Sequence, residues 1–189
     1  MPRIAVLGWG SLIWNPGTLA LAGDWHEDGP ALPIEFARIS CGNRLTLVIH
    51  PEAELVTTLW AIMRARDLDT AREHLRIREG RPPIERIGWV CRDDSACGPS
   101  EYECADVIHE WLMTKDIDGV VWTALQCNFK DTLGCEFSIN AALAHLQKLE
   151  GGEREAAEEY VRKTPSHVRT RVRQSAEEVL EWHPVIAQY

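Results

Sequence analysis

The chain has 189 residues, 45% of them hydrophobic, with 29 acidic against 20 basic side chains and a formal net charge of −9. This is enough apolar sequence for one core, and a single domain spanning 1–189 is expected. The acidic excess argues against a general phosphate-backbone binder, and no apolar run approaches the roughly 18 residues of a membrane span. Neither nucleic acid nor membrane is therefore an expected partner, although a local basic pocket is compatible with the charge. The first residues run straight into a strand-like stretch without a signal-peptide pattern, so a cytoplasmic location is expected. Six cysteines are present, none paired as C-x-x-C, and reduced thiols are the natural expectation in that compartment.

In chain order, the apolar run 4–7 reads as a strand that stops at Gly8-Trp9-Gly10-Ser11. Asn15-Pro16-Gly17 is a second breaker, and 23–33, with two glycines and two prolines, reads as loop. Strands are expected over 34–39, 45–49 and 56–63. The turn-like Cys41-Gly42-Asn43 between the first two suggests an antiparallel meander. A helix is expected over 67–79, with Asp67 or Asp69 as N-cap and Gly80 at the stop, ahead of Pro82 and Pro83. Then come a strand at 84–91, a loop and candidate lid at 92–102, a helix at 103–114 and a strand at 119–125. The last third reads as helices 136–149, 153–163 and 166–181, the last beginning at Pro165-Ser166. Strands come first with interspersed helices and there is no strict β-α-β alternation, which favours an α+β fold.

Two features carry chemistry. The turn Gly8-Trp9-Gly10-Ser11-Leu12 lacks the third glycine of a dinucleotide fingerprint, that position being Ile13. It reads either as a plain strand-to-loop turn or as an anion-binding turn, where glycines let backbone N–H groups approach a carboxylate or oxyanion. The second feature is Glu79. At about 100° per residue, Leu75 and Glu79 lie within roughly 40° of each other, so Glu79 continues the stripe of Ala71 and Leu75 rather than the solvent face. Burial and the negative end of the helix dipole would each raise its pKa and make it a better base. Arg76, Arg78 and Arg81 would oppose that shift. An ion-paired glutamate at a helix end is the plain alternative.

Val6-Leu7-Gly8-Trp9-Gly10-Ser11-Leu12 resembles the opening strand and loop of the γ-glutamylcyclotransferase-like family, in which tyrosine-glycine-serine-leucine (or asparagine) follows the first strand. Gly10, Ser11 and Leu12 match, while Trp9 stands where the family usually has tyrosine. Downstream, Arg78-Glu79-Gly80 resembles the family's glutamate-glycine segment in type, order and distance. The motifs cover roughly the first 90 residues. The resemblance implies a mixed β-barrel or sheet with flanking helices and a helical C-terminal portion. It also implies γ-glutamyl binding by Gly8, Trp9, Gly10, Ser11 and Leu12, with Glu79 as the catalytic carboxylate and Glu85 as the nearest competitor. The implied reaction is attack of the substrate's own α-amine on its γ-carbonyl, releasing 5-oxoproline and an amine or amino acid, with no cofactor and no metal.

A non-catalytic small-molecule-binding or interaction module on the same fold is the alternative, given weight by Trp9. A different acid–base enzyme on the same pocket, such as one processing γ-glutamylamines, is a third reading. Asn43-Arg44 reads as a turn asparagine and surface arginine, or as a carboxylate clamp. Gln126, Cys127, Asn128 and Lys130 follow a strand and are either pocket residues or plain loop. The seven histidines form neither H-x-x-x-H nor H-E-x-x-H, so a metal site has no support in the sequence.

Overall fold

The computed structural model describes residues 2–93 and 102–185. Among these are seven strands and six helices in two separate sheets. The strands are β1 (Ile4–Gly8), β2 (Ala31–Ile39), β3 (Leu45–Ile49), β4 (Leu55–Thr57), β5 (Leu59–Ile62), β6 (Ile87–Cys91) and β7 (Gly119–Thr123). The helices are α1 (Leu68–Arg78), α2 (Ala105–Met113), α3 (Phe129–Leu133), α4 (Ile139–Lys148), α5 (Gly151–Lys163) and α6 (Arg171–Leu180). The architecture is α+β, as the strand and helix pattern predicts. Among the described residues the sheets do not close into a barrel, and here the expectation is corrected.

The four-stranded sheet has the order β5-β1-β7-β6, with β1 antiparallel to β5 and parallel to β7. Every residue of β1 is buried. Alternate side chains go to opposite faces: Ala5 and Leu7 join a core with the three-stranded sheet and the C-terminal helices. Ile4 and Val6 join a second core with Ala71 and Leu75 of α1. The three-stranded antiparallel sheet has the order β3-β2-β4. The β2–β3 hairpin forms around Cys41–Asn43, where Gly42 has φ +71°. β4 pairs with β2 rather than continuing outward from β3, so the third strand departs from a simple meander.

The single strand expected over 56–63 is two strands in two sheets. The chain changes sheet at Thr58, which is wholly buried and anchored to the segment ahead of β2. The Thr58 N–H and Oγ1 both donate to Pro30 O, at 3.1 and 2.9 Å, and Gly29 N–H donates to Thr58 O at 3.0 Å. A Cβ at Gly29 would lie 2.5 Å from Thr58 O, so only glycine admits the crossing.

β2 starts at Ala31 within the segment read as loop. Pro33 is accommodated because it accepts from His50 N–H rather than needing to donate. Residues 84–86 form a short 3-10 turn ahead of β6. The last helix begins at Arg171, not Ser166: Thr170 caps it, accepting from Arg173 N–H. The buried Arg173 guanidinium gathers the carbonyls of Thr164, Pro165 and Val168, which holds 164–170 in a non-helical turn. Of the expected lid at 92–102, residues 94–101 lie outside the described residues.

Candidate active site

The turn after β1 is closed by Ile13 N–H to Gly10 O at 3.0 Å and Asn15 N–H to Ser11 O at 2.9 Å. Gly8, Trp9, Gly10, Ser11 and Leu12 all border one cavity of about 610 Å³. The Trp9 indole, however, is turned into the core, where its Nε1–H donates to Leu47 O at 3.3 Å. Beside Gly10 lies the phenol of Tyr160, carried by α5. Its oxygen accepts a long hydrogen bond from Ser11 N–H, 3.4 Å. Burial pushes the Tyr160 phenol above its ordinary range, so it stays protonated at neutral pH.

The opposite wall is the C-terminus of α1. Asp67 caps the start of this helix by accepting from Thr70 N–H at 2.7 Å. At the other end Gly80 N–H donates to Ile77 O and Arg81 N–H donates to Arg76 O. Gly80 has φ +81°, so the pair of bonds is a Schellman stop with glycine in the left-handed position. Glu79 is the C-cap, and its side chain, 16% exposed, borders the same cavity as the turn.

Arg78 ties the two walls together. It donates to Glu79 Oε1 at 2.7 Å, Ser11 Oγ at 3.2 Å and Asn15 O at 2.7 Å. Glu79 is therefore an ion-paired helix-end carboxylate, the plain alternative that the sequence offers, and it also borders the cavity. Glu85 is placed elsewhere, on a separate cavity of about 200 Å³.

The β2–β3 hairpin completes the cavity with Arg38 and Arg44. The Arg44 guanidinium lies over the Tyr160 ring, 4.8 Å from its centroid. Arg38 donates to Gln126 O at 2.8 Å, and burial followed by the like charge of Arg86 pulls its pKa below the ordinary value. Asn43 faces away: its side-chain amide donates to Glu153 Oε1 and its backbone carbonyl accepts from His145 Nε2. Asn128 is structural, bridging both backbone groups of Ile39.

The sequence does not single out Tyr160 or Arg38, and it marks Arg78 only as a charge beside Glu79, not as the link to the glycine turn. For Tyr160 a signal existed: Ala157, Tyr160, Val161 and Thr164 form a buried stripe within a charge-rich stretch. Among the described residues no group of three or more His, Cys, Asp or Glu side chains is arranged to hold a metal ion. No helix among them is long and apolar enough to cross a membrane. Comparison with protein-family models, with curated proteins and with solved structures finds no match.

Proposed function

We propose that the protein is a cyclotransferase acting on a γ-glutamyl compound, releasing 5-oxoproline and an amine or amino acid. One observation carries this reading: the glycine turn and Glu79, distant in sequence, border one cavity and are bridged by Arg78. The cavity is of the size that small-molecule sites have, roughly 300–1,000 Å³.

Within this reading the backbone of residues 8–12 receives the γ-glutamyl group. Arg78 occupies Glu79 Oε1, so Oε2 takes the proton from the substrate's α-ammonium. The freed amine attacks the γ-carbonyl, and the C–N bond that closes the five-membered ring forms as the carbonyl oxygen takes up charge. Backbone N–H groups of the turn stabilise that oxyanion. Glu79 then passes its proton to the leaving nitrogen as the carbonyl re-forms and the original amide bond breaks. It also takes up the second proton that the ring nitrogen sheds on becoming the neutral lactam, from where that proton goes to the departing amine. The substrate supplies both nucleophile and electrophile, so catalysis consists of holding a near-attack geometry beside a positioned base.

The test is 5-oxoproline release from glutathione, γ-glutamyl amino acids and γ-glutamylamines. Glu79→Gln should lower kcat by roughly 10²–10⁴-fold, the usual contribution of a positioned acid–base group. Undiminished release by a folded Glu79→Gln protein would remove Glu79 from the mechanism, and released glutamate would point to a different acid–base reaction. The ion pair with Arg78 favours a second reading, in which the carboxylate's charge is already answered and the cavity only binds. Saturable binding of γ-glutamyl compounds with no product from any of them would select that reading.

A further inference from the structure

The cavity has an uneven charge. Three guanidinium groups, from Arg38, Arg44 and Arg78, face a single carboxylate, Glu79, in a protein whose formal net charge is −9. Arg78 is committed to that carboxylate, to Ser11 and to Asn15. Arg38 and Arg44 have no carboxylate within salt-bridge distance among the described residues. Arg44 holds its guanidinium over the Tyr160 ring, and its buried Nε has no hydrogen-bond partner. Arg38 donates to Gln126 O, and Arg86 converges on the same residue through Gln126 Oε1 at 2.8 Å, adding a like charge behind it.

Uncompensated guanidinium groups in a cleft, one with an orphaned buried donor, are arranged for an anion. Their placement is directional. Glu79 and the glycine turn lie on the four-stranded sheet and α1, whereas Arg38 and Arg44 come from the hairpin of the other sheet. A γ-glutamyl group seated between the turn and Glu79 would extend its leaving group towards the hairpin.

We infer that Arg44, assisted by Arg38, is a specificity-determining anion subsite that recognises a carboxylate on the leaving group, so that γ-glutamyl amino acids or peptides are selected over γ-glutamylamines. This rests on the cyclotransferase reading for its orientation, but its charge argument concerns binding alone. A γ-glutamylamine leaves both guanidinium groups unanswered, whereas an amino-acid leaving group answers them with a planar carboxylate.

The experiment compares γ-glutamylalanine with γ-glutamylethylamine, which has the same skeleton without the carboxylate. It uses the full chain, Arg44→Met and Arg44→Lys. Wild type should favour γ-glutamylalanine by roughly tenfold to a hundredfold, mainly in KM, as one charge-assisted hydrogen bond supplies. Arg44→Met should bring the ratio of the two substrates close to one, and Arg44→Lys should retain part of it. Calorimetric titration of both compounds into Glu79→Gln, with and without Arg44→Met, reads the same preference as binding and needs no turnover.

Equal handling of the two compounds by wild type overturns the proposal. So does an Arg44→Met protein that weakens both while keeping their ratio, which would place Arg44 on the glutamyl carboxylate they share. If neither compound is turned over, the cyclotransferase reading fails. The titration still decides the subsite: carboxylate-dependent binding that is lost with Arg44 upholds it, and indifferent or absent binding overturns it.

Discussion

Gly10 has no room for a side chain, because a Cβ there would stand 2.6 Å from the Tyr160 hydroxyl. The obstruction is the end of a buried side chain whose ring is fixed by edge contacts with Trp14 and Phe36 and by Arg44 above it. The ring therefore cannot give way cheaply. Gly10→Ala should push the turn out of place, lowering the melting temperature and weakening ligand binding. Tyr160→Phe removes the obstructing oxygen and should restore much of what Gly10→Ala loses, giving a coupling of about 0.5–3 kcal/mol in a double-mutant cycle. Additive effects in that cycle would mean that the glycine is required for its backbone alone. Gly10 was legible in the sequence as a position of close approach, but what approaches it was not. The partner lies 150 residues downstream on a helix whose pattern announces only a buried face.

At the scale of elements, α1 shows how local rules suffice when all the determinants are nearby. Asp67, the Ala71–Leu75 stripe and Gly80 mark its start, face and stop within one stretch of sequence, and the helix has those ends. The stop also aims the cavity carboxylate. Gly80 at φ +81° sends the chain into the Schellman turn, leaving Glu79 facing the cavity. Gly80→Ala should cost about 1 kcal/mol of stability, the penalty of a Cβ in the left-handed region, readable as a shift of the denaturant midpoint. The loss of 5-oxoproline release should exceed that stability loss, because Glu79 is displaced. Full activity at reduced stability would show that the carboxylate does not depend on this turn.

The β4–β5 break has the opposite character. Residues 56–63 are apolar and β-branched as one continuous strand would be, and the reason for the break is the anchorage of Thr58 to Gly29 and Pro30, almost 30 residues upstream. The start of α6 was misplaced for the same reason. Pro165-Ser166 is a sound local start signal, overridden by the buried Arg173 that draws the intervening carbonyls out of helical geometry.

For the whole molecule, the question is what holds the C-terminal helices against the sheets so that Tyr160 reaches the turn. Part of the answer is Glu35, a buried carboxylate on β2, 3% exposed. Its Oε1 accepts from Phe36 N–H at 2.7 Å, and its Oε2 accepts from Arg171 N–H at 3.0 Å and Val172 N–H at 3.4 Å. It thus satisfies orphan donors in the first turn of α6 and joins that helix to the three-stranded sheet.

Burial raises the Glu35 pKa above the ordinary value of 4.5, and the hydrogen bonds from Thr170 and the three backbone donors only partly offset this. The folded protein therefore holds this proton more tightly than the unfolded chain does. Its contribution is fully present below pH 4.5 and is lost as pH rises through the folded-state pKa. Glu35→Gln keeps one acceptor oxygen, does not titrate, and turns an amide N–H₂ towards backbone donors. The variant should be less stable than wild type near pH 4, and the gap in melting temperature should narrow as pH is raised towards 8. Carboxylates with lowered pKa, such as Asp28 and Asp67, lose stability on acidification in both proteins and so cancel in the difference. A gap that widens with pH would reverse the assignment: the three N–H donors would outweigh burial, and Glu35 would work as a charged cap on α6.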